Sequence, residues 1–146
     1  MKLRFWIFAI ACYLTSFIVG WASLPSELAS HFDGSGAPDA WSSKPAYLGF
    51  MAVIGLVMLG GMPLTSRLPV SLMNLPNTDY WSAPERVATL RTKLTGEVRV
   101  FAGLTGLLLS AVQFMIIAAH ISAPSAPRLG LWPWVAVALY LVGTVV

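Results

Sequence analysis

The chain has 146 residues, of which 57% are hydrophobic and only 10% are charged. An ordinary soluble domain has about 45–50% apolar and roughly 25% charged residues, so this composition excludes that class of protein. The net charge of +3 does not indicate a nucleic-acid partner. Nucleic-acid binding needs a cationic stripe with stacking aromatic side chains, and the basic residues here are grouped in a way that a membrane explains.

Four charge-free stretches of the sequence are each about long enough to cross a bilayer core of roughly 30 Å as a helix. Backbone polar groups cannot stay unpaired in lipid, and the stretches lack the alternation of barrel strands, so helices are expected. We therefore predict an all-α integral membrane protein, folded as a single membrane domain over residues 1–146. The predicted transmembrane helices cover about 5–24, 45–65, 98–121 and 129–146.

The basic residues are divided unequally between the two sides of these spans. Seven of the nine fall on one side, which the positive-inside rule makes cytoplasmic. Both termini are then cytoplasmic, loop 25–44 is the outer loop, and loop 66–97 is cytoplasmic. The seven are Lys2, Arg4, Arg67, Arg86, Arg91, Lys93 and Arg99; Lys44 and Arg128 lie on the outer side.

The outer loop is bracketed by Pro25 and Pro45. Within it Gly34, Gly36 and Pro38 are typical of turns, so this segment is expected to lack regular structure.

A helix is predicted to begin near Ala83 in the cytoplasmic loop. Ser82, Ala83, Pro84 and Glu85 together resemble a capping box with proline in the first turn. Apolar residues then recur at steps of three and four. This pattern predicts a short amphipathic helix that either lies on the inner leaflet or runs straight into the third span. Its apolar residues are Val87, Leu90, Leu94, Val98 and Phe101.

One face of the third span combines small and polar residues at helical spacing. Small residues let helices approach closely, and an amide in lipid needs a hydrogen-bond partner, so a packing seam is predicted. A conduction path or proton relay is the alternative, although none of the predicted spans contains an acidic residue. The predicted seam consists of Ala102, Gly106, Ser110 and Gln113, with His120 further along the same face.

The outer loop carries a dense motif: Leu24-Pro25, His31-Phe32-Asp33, Gly36 to Trp41, and Lys44. This pattern resembles the bacterial membrane family called domain of unknown function 1648, whose members include SdpI-type immunity proteins that protect a cell against a toxin it exports. The resemblance implies a bacterial inner-membrane protein whose outer loop binds a partner. The partner-binding residues it implies are His31, Phe32, Asp33, Gly36, Pro38, Asp39, Trp41 and Lys44.

A second motif lies in the cytoplasmic loop and resembles one found in many members of the same family. It forms either a rigid turn, in which asparagine side chains bond to loop backbone, or a docking segment. Its residues are Asn74, Pro76, Asn77, Asp79, Tyr80, Trp81, Glu85 and Arg86.

A divalent metal is a further possibility on the outer side. His31, Asp33, Asp39 and His120 all fall there, and nitrogen and oxygen ligands suit zinc, although their spacing matches no known zinc motif. The alternatives are structural: His31 bonds to a backbone carbonyl, Asp39 caps a turn or pairs with Lys44, and His120 lies at headgroup level.

The chain contains no nucleophile motif, phosphate loop or paired carboxylates, so no enzyme activity and no cofactor are expected. The leading hypothesis is a small bacterial inner-membrane binding protein with an immunity, sensing or accessory role, in contact with the lipid bilayer and a protein or peptide. The first alternative is a membrane metal-binding protein or metal-dependent enzyme component that uses His31 and His120. The second is a structural subunit of an oligomer or larger membrane complex.

Overall fold

The computed structural model describes residues 1–145, and it is mostly helical, with 73% helix and 8% strand. Six α-helices and one two-stranded sheet are present in this part of the chain. The elements are α1 (Lys2–Ser23), β1 (Glu27–Phe32), β2 (Pro38–Ser43), α2 (Lys44–Gly55), a π-helical segment (Leu56–Gly61), α3 (Met62–Leu64), 3-10 turns (Thr65–Arg67 and Val70–Leu72), α4 (Thr78–Trp81), α5 (Pro84–Ser122) and α6 (Trp132–Val145).

Three helices are long and apolar enough to cross a membrane: Lys2–Ser23, Lys44–Arg67 and Pro84–Ser122. The second of these is called the second span below. It consists of α2, the π-helical segment, α3 and the 3-10 turn Thr65–Arg67. The fourth predicted span is not observed at that length. It is replaced by the 14 residues of α6, which extend about 21 Å, short of a core of about 30 Å.

The shortening of the fourth helix has a backbone cause. Gly130 has a φ of 60°, which is the left-handed region, so a right-handed helix cannot begin at position 129 as predicted. The helix begins instead at Trp132.

The predicted short amphipathic helix is not a separate element. It forms the first turns of α5, a continuous helix of 39 residues, which corresponds to the second of the two predicted outcomes. The predicted capping box is wrong, because the Ser82 hydroxyl donates to the Thr78 carbonyl and no side chain caps α5. Pro84 does occupy its first turn.

The outer loop was predicted to be irregular, and this prediction is wrong. The two strands β1 and β2 pair antiparallel, from Glu27 opposite Ser43 to Phe32 opposite Pro38, with register shifts on either side of His31. The predicted turn is confined to the short connection between the strands. The molecule is therefore not all-α, since a β-hairpin covers one end of a helical bundle.

Pro63 explains the π-helical segment in the second span. Proline has no N–H, so it cannot bond to the carbonyl of Leu59 four residues earlier, and the helix widens there. The indole nitrogen of Trp6 on α1 donates to this carbonyl at 3.1 Å. This hydrogen bond ties the π-helical segment to the neighbouring helix.

The four seam residues of α5 and His120 on the same face are all buried. A Cβ on Gly106 would lie 2.6 Å from a methyl carbon of Leu59, so the absent side chain lets the second span approach. The Ser16 hydroxyl of α1 lies 3.3 Å from the amide oxygen of Gln113. Partners within the same chain therefore close this face of α5.

The three spans give the molecule two distinct ends. The hairpin and the loop before α6 lie at one, here called the hairpin end. Lys2 meets Glu97, and Arg91 donates to the Ser66 carbonyl, at the other, here called the basic end.

Candidate functional site

The hairpin is fixed to α5 through His120, which is only 3% exposed. The Ala29 N–H donates to Nε2 of His120 at 3.0 Å, so that nitrogen is an acceptor and the ring proton is on Nδ1. Nδ1 donates to the Ile116 carbonyl at 2.8 Å. Both ring nitrogens are occupied, and His120 acts as a structural link beneath the buried residues Leu28 and Ala29 of β1.

Lys44 connects the other end of the hairpin to α1. Its Nζ donates to the carbonyl oxygens of Trp21 at 3.0 Å and Leu24 at 2.7 Å, where α1 ends. A cation at a helix C-terminus is stabilised by the helix dipole and by the unpaired carbonyls. Lys44 therefore positions the hairpin and does not pair with Asp39.

The tip of the hairpin is held by its own aspartate. The Asp33 carboxylate accepts hydrogen bonds from the Ser35 hydroxyl, the Ser35 N–H and the Ala37 N–H. The Ser35 hydroxyl, followed by the Ala37 and Ser35 backbone N–H groups, lowers the pKa of Asp33. Asp33 thus stabilises the turn in its ionised form.

The tip also contacts α6 and the loop that precedes it. The Leu129 N–H donates to the Gly36 carbonyl at 3.0 Å, and the Trp134 indole nitrogen lies 3.4 Å from the Gly34 carbonyl oxygen. Gly36 has a φ of 78°, and a Cβ there would lie 2.7 Å from the Gly130 nitrogen. Only glycine fits this position, so Gly36 is a structural residue of the tip.

Between these attachments, one surface of the hairpin is exposed. Nδ1 of His31 lies 2.5 Å from Oδ1 of Asp39, and their side chains are 70% and 45% exposed. Trp41 is 48% exposed, with its ring nearly perpendicular to that of His120 at 6.4 Å between centroids. His31, Asp39 and Trp41 form what is called the hairpin face below.

Three of the eight residues predicted to bind a partner form the hairpin face, and the other five do not belong to it. Phe32 packs against the core, Gly36 is buried, and Pro38 is half-buried. Asp33 and Lys44 bond to backbone as described above.

The four metal-ligand candidates are not gathered into one group. His31 and Asp39 meet, whereas His120 is bonded to backbone on both nitrogens and Asp33 is engaged in its own turn. Within residues 1–145, no group of three or more His, Cys, Asp or Glu side chains could hold a metal ion. The predicted use of His31 together with His120 has no geometric support.

Residues 7–56 match the family model described as Domain of unknown function (DUF1648). The match covers most of α1, the whole hairpin and α2, so the hairpin face lies inside the segment that is similar to this domain. Neither a curated protein nor a solved structure matches the chain.

The second predicted motif lies beyond the DUF1648 match, at the basic end. Asn77 has a φ of 57° and precedes α4, so it forms a tight turn. The Arg86 guanidinium lies 3.9 Å from the ring centroid of Tyr80, and that ring meets Trp81 edge-on at 5.1 Å. Asn74, Pro76, Asp79 and Glu85 are exposed.

The two motifs are far apart in space. Arg86 and His120 are separated by 34 positions on the continuous helix α5, which corresponds to about 51 Å. The structure therefore places the hairpin face and the basic-end motif at opposite ends, and they cannot form one site.

Sequence reasoning missed two features of the site. The hairpin itself could have been recognised from two short segments joined by a glycine-containing connection. The other feature is a pair of hydroxyls, on Ser42 and Tyr47, that have no hydrogen-bond partner within residues 1–145. No sequence signal distinguishes these from ordinary polar side chains near a membrane surface.

Proposed function

We propose that the protein is a small bacterial inner-membrane binding protein, and that its hairpin face meets a protein or peptide partner on the outer side of the membrane. The observation that carries the proposal is the fixed geometry of the hairpin. Hydrogen bonds tie it to α1, α5 and the loop before α6, yet His31, Asp39 and Trp41 stay exposed.

A rigid surface of this kind favours binding because little conformational freedom is lost when a partner docks. Tryptophan is among the residues that contribute most to binding energy at interfaces. The adjacent His31 and Asp39 side chains offer one hydrogen-bonding group on each strand. His31, Asp39 and Trp41 together can recognise a polar backbone next to an apolar side chain, which is the chemistry of a peptide.

The charge distribution supports an outward-facing hairpin. Seven of the nine basic residues belong to segments at the basic end, which the positive-inside rule assigns to the cytoplasm. In this orientation α1 and α5 both run from the cytoplasm to the outer side, as the sequence predicts. The hairpin face is accordingly proposed to lie outside.

The resemblance to SdpI-type immunity proteins favours an immunity role among the roles open to such a binding protein, with sensing and accessory roles as alternatives. In that role the hairpin face would bind an exported peptide toxin before it reaches the lipid. The proposed activity is binding without catalysis, and it requires no cofactor.

A structural subunit of a larger membrane complex is the second candidate, and one observation favours it. None of the described residues of α6 is buried, and Leu139 on this helix is 69% exposed. Because the seam of α5 is closed within the chain, a further subunit would need another surface, and docking on α6 would cover its exposed apolar side chains.

Photo-crosslinking in native membranes separates the two candidates. A photoreactive amino acid at exposed Ala40 reports on the hairpin face, and one at Leu139 reports on α6. We expect a discrete protein adduct from position 40. His31→Ala and Asp39→Ala should abolish it at unchanged abundance in the membrane, because both side chains are exposed and contribute little to the core.

The matched control is Glu27→Gln, an exposed change at the base of the same hairpin, which should leave the adduct intact. Adducts from position 139 alone would favour the structural subunit and contradict a binding role for the hairpin face. Loss of abundance in the His31 and Asp39 variants would indicate that these residues are structural.

A further inference from the structure

The two strands of the hairpin differ in what lies along their outward edges. On β1 the Ala29 N–H points away from β2 and donates to His120, so α5 occupies this edge. In an antiparallel pair, two directly opposite residues bond to each other through their backbone groups, or both point these groups away. Ala29 lies opposite Trp41. The backbone N–H and C=O of Trp41 therefore point away from β1 as well.

A contact at the base of the hairpin gives the same register independently. The Lys44 N–H donates to the Ser26 carbonyl at 2.8 Å, so these two residues form a hydrogen-bonded pair. Bonded and non-bonded pairs alternate along the ladder, and no register shift lies between this pair and Trp41. The Ser43 N–H consequently points away from β1, like the groups of Trp41. These three groups, the Trp41 N–H and C=O and the Ser43 N–H, are called the free edge of β2 below.

The free edge is not covered by the rest of the described chain. Within residues 1–145, no other element forms a hydrogen bond with its three groups. Edge strands are usually protected from pairing by proline, by charged side chains or by a covering element. Pro38 and Asp39 protect only the start of β2, whereas Ala40, Trp41 and Ser43 are exposed. Such an edge presents donors and acceptors at the spacing of an extended backbone, so its complement is a further strand.

The hairpin is oriented so that a further strand would lie on the membrane surface. It starts where α1 ends and α2 begins, and it crosses the end of α5 at His120. Its tip reaches the loop before α6, where Gly36 accepts from Leu129. The strands thus run across the ends of the helices. A peptide paired with β2 would lie beside them without entering the lipid.

Charge distinguishes between the strands that could pair with this edge. Residues 25–43 contain three acidic side chains and no Lys or Arg, so the hairpin has a formal charge of −3 in a chain of net charge +3. A second copy of the hairpin would carry the same −3, and like charges on paired strands are destabilising. A segment with Lys or Arg is instead attracted. The acidic residues are Glu27, Asp33 and Asp39, and Asp39 is the one on β2 itself.

From this geometry we propose that the free edge of β2 binds an extended, cationic peptide segment by β-strand addition. The backbone groups of Trp41 bond to the segment, and the Ser43 N–H donates to a carbonyl two positions further along it. This inference rests on the proposed function and deepens it, because it states how the peptide partner of the hairpin face is held and which charge it carries.

The first test removes one donor of the free edge. Ser43 has a φ of −69°, a value that proline adopts, so Ser43→Pro deletes the N–H while the backbone keeps its conformation. Ser43→Ala is the matched control, because both variants lose the hydroxyl that accepts from the Ala46 N–H. Loss of one hydrogen bond should lower the yield of the adduct from a photoreactive amino acid at position 40 by roughly 2- to 12-fold in Ser43→Pro relative to Ser43→Ala.

The second test measures the conformation of the captured segment and needs no edge variant. Photoreactive amino acids at positions 40 and 43 are about 10 Å apart along a strand. On an added strand, the two crosslinked positions mapped by mass spectrometry should differ by about three residues. On a helix the same distance would correspond to about seven residues. The captured segment should also contain Lys or Arg.

The outcomes separate this inference from the proposed function. No protein adduct from position 40 in the otherwise unchanged chain would contradict both. An adduct that Ser43→Pro and Ser43→Ala affect equally at normal abundance, or one with helical spacing, would overturn strand addition and leave the binding role standing. If Ser43→Pro lowers the abundance of the protein, the crosslink spacing decides alone. Capture of an acidic segment, or of a second copy of this chain, would overturn the proposed occupant.

Discussion

His120 links two parts of the chain that are 91 positions apart, and it does so with both ring nitrogens. Sequence reasoning placed this residue on the seam of the third span and considered it as a metal ligand. Its actual partners are two backbone groups, the buried Ala29 N–H of β1, which needs an acceptor, and the Ile116 carbonyl one turn earlier on α5. An imidazole is suited to this task, since it can accept from an N–H and donate to a carbonyl simultaneously.

The first residue-scale prediction concerns this link. His120→Phe keeps most of the ring volume but leaves the Ala29 N–H buried without an acceptor. An unpaired buried donor costs about 1–3 kcal/mol, so the variant should unfold at a lower temperature in detergent. Thermal unfolding followed by a dye that binds newly exposed Cys12 provides the measurement.

The control for His120→Phe is His31→Ala. His31 belongs to the hairpin and His120 contacts it, but His31 is 70% exposed and its replacement should change stability by less than about 0.5 kcal/mol. An equal fall in unfolding temperature in the two variants would contradict a structural role that belongs to His120 alone.

At the scale of elements, close packing of the helices depends on positions without side chains. The approach of the second span to α5 requires Gly106, and the widened helix at Leu56–Gly61 presents Leu59 to it. The same residue, Leu59, has its carbonyl bonded to Trp6 of α1. The second span is therefore held on one side by a packing contact and on the other by a hydrogen bond.

The element-scale prediction replaces Gly106 by leucine. A side chain there would collide with Leu59, and overpacking of this kind typically costs about 1–3 kcal/mol. Leu107→Ala, which faces α6 on the other side of α5, should cost less because α6 contributes no buried residue. Unfolding temperatures in detergent compare the two variants.

A double variant isolates the contact. Leu59→Ala in the Gly106→Leu background makes room for the new side chain and should recover part of the lost stability. If instead the two changes add, the collision is not the cause of the loss, and the assignment of Leu59 as the partner of Gly106 fails.

At the scale of the whole molecule, the sequence predicts the long helices well because burial in lipid imposes a length and an absence of charge. It predicts the buried face of α5 for a similar reason, since small residues at helical spacing have few other uses in a membrane. It fails at the hairpin, where the paired residues are 6 to 16 positions apart, because register shifts on either side of His31 interrupt the strand pattern and the hairpin depends on attachment to helix ends. It also fails at the start of the fourth helix, which it predicts at position 129. Gly130 has a positive φ there, and composition does not show which glycines adopt that conformation.

The arrangement of the spans also leads to a prediction about sidedness. In the proposed topology α1, the second span and α5 cross the membrane, Ser35 and Ser125 lie at the hairpin end, and Ser71 lies at the basic end. In a chain without Cys12, cysteines at 35 and 125 should react with an impermeant thiol reagent added outside whole cells. A cysteine at 71 should react only after the membrane is opened, and its labelling in intact cells would overturn the proposed orientation.

Helix α6 makes the same experiment more informative. Its Gly143 lies against Leu104 of α5, 16 positions from His120 at the hairpin end, which corresponds to a depth of about 24 Å. A core of about 30 Å would leave this level inside the lipid. We therefore expect Thr144→Cys to resist the impermeant reagent from both sides, whereas a permeant apolar maleimide reaches it. Reaction of Thr144→Cys with the impermeant reagent in opened membranes alone would mean that α6 extends to the basic end as a fourth span.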